Sequence, residues 1–180
     1  MKPMPDVVFE RLRAGDLFEI ERQPSQARVL GAEPGDIDWD TAEVLAGQPV
    51  AWAARCEGRL IALFGIGEHH EGRHGVAWSI LGEMGAAHLA VTRRIRGELQ
   101  GSRLARVELI ARAAEVPFTF QGDKAVEWVM RPARISPECR WAVMLGFTPA
   151  HVLKRYGPDG DTHMLFEWFG PASGRGADHG

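Results

Sequence analysis

The stretch Ile135-Ser136-Pro137-Glu138-Cys139-Arg140-Trp141-Ala142-Val143-Met144-Leu145-Gly146-Phe147 constrains the fold more than any other, because both ends of a short helix are written into it. Ser136 is an N-cap whose hydroxyl accepts from an orphan N–H of the first turn. Pro137 suits the first helical position, where a missing N–H costs nothing. Glu138 sets negative charge at the positive end of the helix dipole. Gly146 supplies the left-handed C-terminal position and Pro149 follows as a stop. Trp141, Met144 and Leu145, at i, i+3 and i+4, form one apolar stripe.

Around this helix the chain alternates strand and helix signals. Val7–Leu12 reads as a strand, and Asp16 caps a helix through Arg22 that Pro24 ends. Ser25–Gly35 is loop, with a short strand possible at Arg28–Leu30. A helix is expected over Ile37–Ala46, capped by Asp36 and closed by Gly47. Val50–Cys56 and Arg59–Ile66 flank the tight-turn pair Glu57-Gly58, so they pair as an antiparallel hairpin. The polar stretch Glu68–His74 leads to a strand at Gly75–Leu81, then a helix over Ala86–Gln100 and a strand at Arg106–Arg112. Ala125–Met130 is either a strand or a turn of helix, because periodicity cannot arbitrate so short a run. After the capped helix, Ala150–Tyr156 and Thr162–Phe169 read as strands joined by the turn residues Gly157-Pro158-Asp159-Gly160. The Gly-, Ala- and Ser-rich tail, residues 170–180, reads as disordered. Residues 1–169 read as a single domain, a mixed, mostly antiparallel α/β (α+β) sheet flanked by helices.

A net charge of −3 over 180 residues gives no electrostatic reason to expect nucleic acid as a partner. Cys56 and Cys139, far apart, make neither a disulfide framework nor a zinc pattern, which fits a reducing cytoplasm. No apolar run spans a bilayer, so no membrane partner is expected, and Met1–Asp6 lacks the apolar core of a signal peptide.

The string Ser136-Pro137 … Leu145-Gly146-Phe147, followed by two strands, resembles the late helix of the GNAT acyltransferase superfamily, and the element order of residues 7–169 is similar to that fold. The resemblance implies an N-acyltransferase that moves an acyl group, such as acetyl, from acyl-CoA to a small-molecule or protein amine. It also implies that acyl-CoA binds at the end of the fourth strand, here Leu81. There backbone N–H groups of a small-residue turn and the next helix hold the pyrophosphate. The matching turn is Gly82-Glu83-Met84-Gly85-Ala86-Ala87, so Leu81, Gly82, Gly85, Ala86 and Ala87 are the cofactor candidates. Gly85 and Ala87 match the family pattern, whereas Gly82 replaces its Gln or Arg and Glu83 adds an unfavourable charge. The tyrosine that many members place four residues before the Gly of Leu-Gly-Phe is Ala142 here.

For a general base the candidates are Glu71 and His74, with Glu68 nearby, since histidine as a class exchanges protons near neutral pH. The bland alternative for this stretch is a polar surface loop. His69, His70 and His74 do not form a known closed ligand set, so no metal is expected. Arg93, Arg94 and Arg96 read as a solvated helix face, His88 as a packed neutral residue, and Cys139 as a buried thiol. His151 and His163 are expected to face each other across the last hairpin. Trp52, Trp78, Trp141 and Trp168 read as core. The departures at Gly82 and Ala142 leave open an alternative: a catalytically degenerate GNAT-like binding or assembly protein of phage or prophage type. A homodimer is possible in either case.

Overall fold

The computed structural model describes residues 5–26, 37–157 and 159–170. The strands are β1 (Val7–Arg11), β2 (Val50–Cys56), β3 (Arg59–His70), β4 (His74–Leu81), β5 (Arg106–Arg112), β6 (Thr148–Leu153) and β7 (His163–Phe169). The helices are α1 (Asp16–Glu19), α2 (Trp39–Ala46), α3 (His88–Gly101), α4 (Gly122–Val129) and α5 (Pro137–Leu145). One seven-stranded sheet results, in the order β1-β2-β3-β4-β5-β7-β6. Every neighbouring pair is antiparallel except β4 with β5. That parallel pair requires a crossover, which α3 provides.

The sheet separates two cores. On one face Ile61, Phe64, Leu81, Val107, Ala111, Met164 and Phe166 pack with Val91, Ile95 and Leu99 of α3 and Cys139, Ala142 and Leu145 of α5. On the other face Leu63, Trp78 and Ile80 pack with Leu17 of α1 and Ala42 and Leu45 of α2. Among the described residues this second layer lies over β2 and β3. The same face of β5 stays open, with Ile110 37% exposed.

The α5 helix forms as its sequence dictates: the Ser136 hydroxyl accepts from Cys139 N–H (3.0 Å) and Gly146 closes it in the left-handed region. The hairpin turn at Glu57-Gly58 has positive φ at both residues, as a two-residue connection of right-twisted strands demands.

Other expectations shift. The α2 cap is Asp38, whose carboxylate accepts from Thr41 N–H (2.7 Å); Asp36 and the strand suggested at Arg28–Leu30 lie outside the described residues. The α1 helix is shorter than expected, ending at Glu19. The polar stretch is not a seven-residue loop, because β3 runs through His70 and β4 starts at His74. Ala125–Val129 belongs to helix, with Met130 as its C-cap: α4 buries Ala125 and Val129, four residues apart on one face. His151 and His163 do not face each other, since His151 pairs with Leu165 and His163 with Leu153. Tyr156 lies in the turn after β6, 56% exposed. The tail beyond residue 170 lies outside the described residues. Among those described, no helix is long and apolar enough to cross a membrane.

Candidate functional site

Strands β4 and β5 run together for only three residue pairs, His74–Arg106, Gly75–Val107 and Val76–Glu108, and then part. The opening is a cleft of about 1080 Å³ that passes between the two sheet faces. Its walls are Val76–Ser79 and Leu81 of β4, Leu109–Arg112 of β5, Met84 and His88 at the start of the crossover, and Trp141 and Ala142 of α5. Gln23, Pro24 and Gln26 line one side, and Tyr156, Asp161 and His163 the side toward the last hairpin.

Strand alternation fixes what β4 offers the cleft. Gly82 N–H donates to Ile61 O on β3 (3.0 Å), so Ile80 and Gly82 direct their backbone groups to β3 and Leu81 directs its own away from it. By the same alternation the amide of Ser79 and the carbonyl of Ala77 face the cleft beyond the last β4–β5 pair. Leu81 is already engaged. Its carbonyl accepts from Gln23 N–H (2.9 Å) and its N–H donates to the Gln26 side-chain oxygen (2.5 Å).

The small-residue turn follows. Gly82 is buried, its N–H is committed to β3, and a Cβ there would stand 2.9 Å from Glu21 O. A Gln or Arg at this position would push the segment after α1 away. Gly85 and Ala86 are exposed, and Gly85 takes a φ of +49. Ala87 is buried and donates its N–H to Met84 O (3.0 Å). No side chain caps either the short 3-10 turn Gly85–Ala87 or α3, so the orphan N–H groups at this end are not satisfied by side chains. Glu83 is exposed beside them.

At the other end of β4, the His74 Nε2 atom is buried, lacks a hydrogen-bond partner and lies 3.4 Å from Glu108 Oε2. Arg106 bridges Glu108 (2.6 Å to Oε1) and Glu167 on the same open face. Glu71 is exposed in the turn before β4 and, like His74, does not line the cleft. Sequence reading missed Glu108. Its signal was the alternation of β5, which puts Arg106 and Glu108 opposite the buried Val107 and half-buried Leu109, but pairing with His74 needs the β4–β5 register.

The remaining residues divide plainly. Arg94 lies over the Trp52 ring (4.1 Å) and ion-pairs with Glu98 (2.9 Å), while Arg93 and Arg96 are exposed. Trp78 is buried and Trp141 half-buried, and both line the cleft; the Trp141 indole N–H donates to the Thr92 hydroxyl (2.9 Å) and its ring lies 5.8 Å from that of His88. Cys139 is buried, which pushes its thiol pKa up, and donates to Arg112 O (3.3 Å). A side cavity of about 20 Å³ shares Ala77, Trp78, Ser79, Leu109 and Trp141 with the cleft.

No protein-family model matches the chain. No characterised protein matches it by sequence. Solved structures do match. A GNAT-family acetyltransferase from Streptococcus pneumoniae is 12% identical, with a TM-score of 0.61, 92% of this chain covered and 100% of that one. The ribosomal-protein-S18-alanine N-acetyltransferase of Escherichia coli is 14% identical, with a TM-score of 0.59 and coverage of 94% and 98%. A GNAT-family acetyltransferase from Bacillus anthracis is 9% identical, with a TM-score of 0.56 and coverage of 91% and 94%. The chain therefore has the GNAT fold, a mixed sheet flanked by helices whose β4 and β5 separate around a cleft.

Proposed function

We propose that this chain is an N-acyltransferase that takes acyl-CoA in the β4–β5 cleft and passes the acyl group to an amine. The parting of β4 and β5 after Val76 and Glu108 carries this reading. It leaves strand edge unpaired along a walled cleft of about 1080 Å³, lined by residues from both sides of the sheet and roomy enough for two substrates to meet. Acyl-CoA supplies the activated acyl group as a thioester. Its extended, amide-bearing arm suits the β4 edge from Leu81, where Gln23 and Gln26 now pair, inward to Ala77, as an added strand would. The exposed turn at Gly85 and Ala86, Ala87 behind it and the start of α3 suit the pyrophosphate, with Leu81 and Gly82 flanking it as structural neighbours.

In this reading the open β4 edge binds the thioester oxygen as negative charge develops on it. His74, outside the cleft wall, takes the proton of the attacking amine through water, with the Glu108 carboxylate 3.4 Å from its Nε2. Glu71, more exposed, is the alternative base. Ala142 carries no hydroxyl, so the departing thiolate takes its proton from water. Most of the acceleration is then positioning. The acceptor amine would approach over the open face of β5, past the Glu108 and Glu167 carboxylates that flank Arg106. A cytoplasmic enzyme, free or as a homodimer, accommodates this chemistry.

Calorimetric titration with acetyl-CoA and longer acyl-CoAs tests the proposal. Micromolar to low-millimolar binding that weakens in Gly85→Val is expected, and no binding at millimolar ligand overturns it. A second reading, a non-catalytic GNAT-like assembly protein of phage or prophage type, draws on Gly82 and Ala142. Absence of cofactor binding would favour it.

A further inference from the structure

Three residues after α1 lie against the edge of β4 that the cofactor arm needs. Gln23 N–H donates to Leu81 O, and the Gln26 carboxamide accepts from Leu81 N–H. Together they form a short strap that pairs with Leu81 much as an extra strand would. Gly82 makes the strap possible: a Cβ there would stand 2.9 Å from Glu21 O, too close to be accommodated without a shift. A large polar residue at position 82 and the strap as it stands are therefore mutually exclusive in this chain.

We propose that Gln26 sets the affinity of this cleft for acyl-CoA by occupying, with its own carboxamide, the Leu81 N–H that an amide of the cofactor arm would take. This rests on the acyltransferase reading given above. The exchange is balanced: one carboxamide oxygen leaves the Leu81 N–H and another arrives, so the bound state gains no net hydrogen bond there. Ser79, further in, has no such competitor among the described residues. Binding therefore starts at the inner part of the edge and at the turn, and the strap yields last. The Gln23–Leu81 bond, made by backbone, tethers the strap while the Gln26 side chain swings away.

Two substitutions separate competition from packing. Gln26→Met keeps the bulk of the side chain without its acceptor, and Gln26→Ala removes both. Titration with free CoA and with acetyl-CoA is expected to show both variants binding about three- to tenfold more tightly than the parent, the effect of one hydrogen bond no longer in competition. Hydrogen exchange at the Leu81 amide reads the same event without the cofactor's affinity. The amide is protected in the parent, exchanges faster in both variants, and regains protection when CoA is added. Equal or weaker CoA binding by both variants, or a Leu81 amide that stays protected without Gln26, overturns the competition while leaving the acyltransferase reading intact. If the parent and both variants all fail to bind CoA at millimolar concentration, that reading falls and the competition falls with it.

Discussion

The two ends of β4 are built by opposite means. At the outer end, Leu81 and Gly82, the ties are uncharged: the Gln23 backbone and the Gln26 carboxamide on one edge, β3 on the other, and a glycine that admits Glu21 O at close range. At the inner end, His74, the groups are charged side chains, with Glu108, Arg106 and Glu167 arranged on an open face. Seven residue steps at roughly 3.3 Å put the ends about 23 Å apart. In the proposed function affinity and chemistry are thereby separable, with one end assigned to holding a strand-like ligand and the other to moving protons.

If that division holds, inner-end substitutions act on rate and leave binding alone. His74→Gln keeps a polar side chain without a base and is expected to lower kcat/KM for amine acylation about 10²-fold or more, with CoA affinity unchanged within twofold. Steady-state kinetics beside calorimetry checks it. A loss of CoA affinity of similar size would mean that the two ends are one unit. Glu108→Gln should follow in the same direction and by less, because Arg106 keeps Glu167 as a partner.

At the outer end the expected effect falls on stability. Gly82→Val drives a side chain into Glu21 O and is expected to destabilise the free protein by about 1–3 kcal/mol, measured by urea unfolding. The same change loosens the strap, so CoA should recover part of that loss by binding only the folded state. A variant as stable as the parent would show that the segment after α1 yields freely.

The sequence disclosed these regions unequally. The α5 helix was legible because its caps, Ser136 and Gly146, act locally and need no tertiary partner. The β2–β3 hairpin was legible for the same reason, through Glu57-Gly58. α4 was not. It lacks a side-chain N-cap, and its few apolar residues gain helical meaning only when Ala125 and Val129 are buried. The small-residue turn proposed for the pyrophosphate stood out through Gly85 and Ala87, but Gly82 read only as a mismatch, because its partner Glu21 is 61 positions away in the chain. Glu108 was hidden for a related reason: parallel pairing across a helical crossover leaves no local pattern to match His74 with it.

Between the two ends lies a smaller discriminator. The side cavity of about 20 Å³ beside Ala77 and Leu109 has space for about one water-sized group, or the methyl of an acetyl. Each methylene beyond that must displace packed side chains, at about 1–3 kcal/mol. Hexanoyl-CoA is accordingly expected to give at least tenfold lower kcat/KM than acetyl-CoA, and Leu109→Ala to narrow that gap. Indifference to chain length would place the acyl group in the open cleft instead.

The smallest effect tests the strap's anchor. The strap leaves α1, and α1 is tied to β2 by Arg55, which reaches Asp16 and Glu19 at 2.8 Å each and Glu10 at 3.6 Å. The hydrogen bond from Arg55 holds the Glu19 carboxyl below the usual carboxylate range. A group whose folded-state pKa is depressed stabilises the fold above its unfolded pKa, and that contribution disappears as pH falls through the folded value. Glu19 is fully exposed, so solvent screens the effect and only a slight difference is expected. Glu19→Gln should therefore be marginally less stable than the parent at neutral pH, with the two unfolding curves converging in acid. Convergence accompanied by faster exchange of the Leu81 amide would tie the anchor to the strap. Curves that differ equally at both pH values would show that Arg55 gains nothing from the Glu19 charge, leaving Asp16 and Glu10 to hold α1 against the sheet.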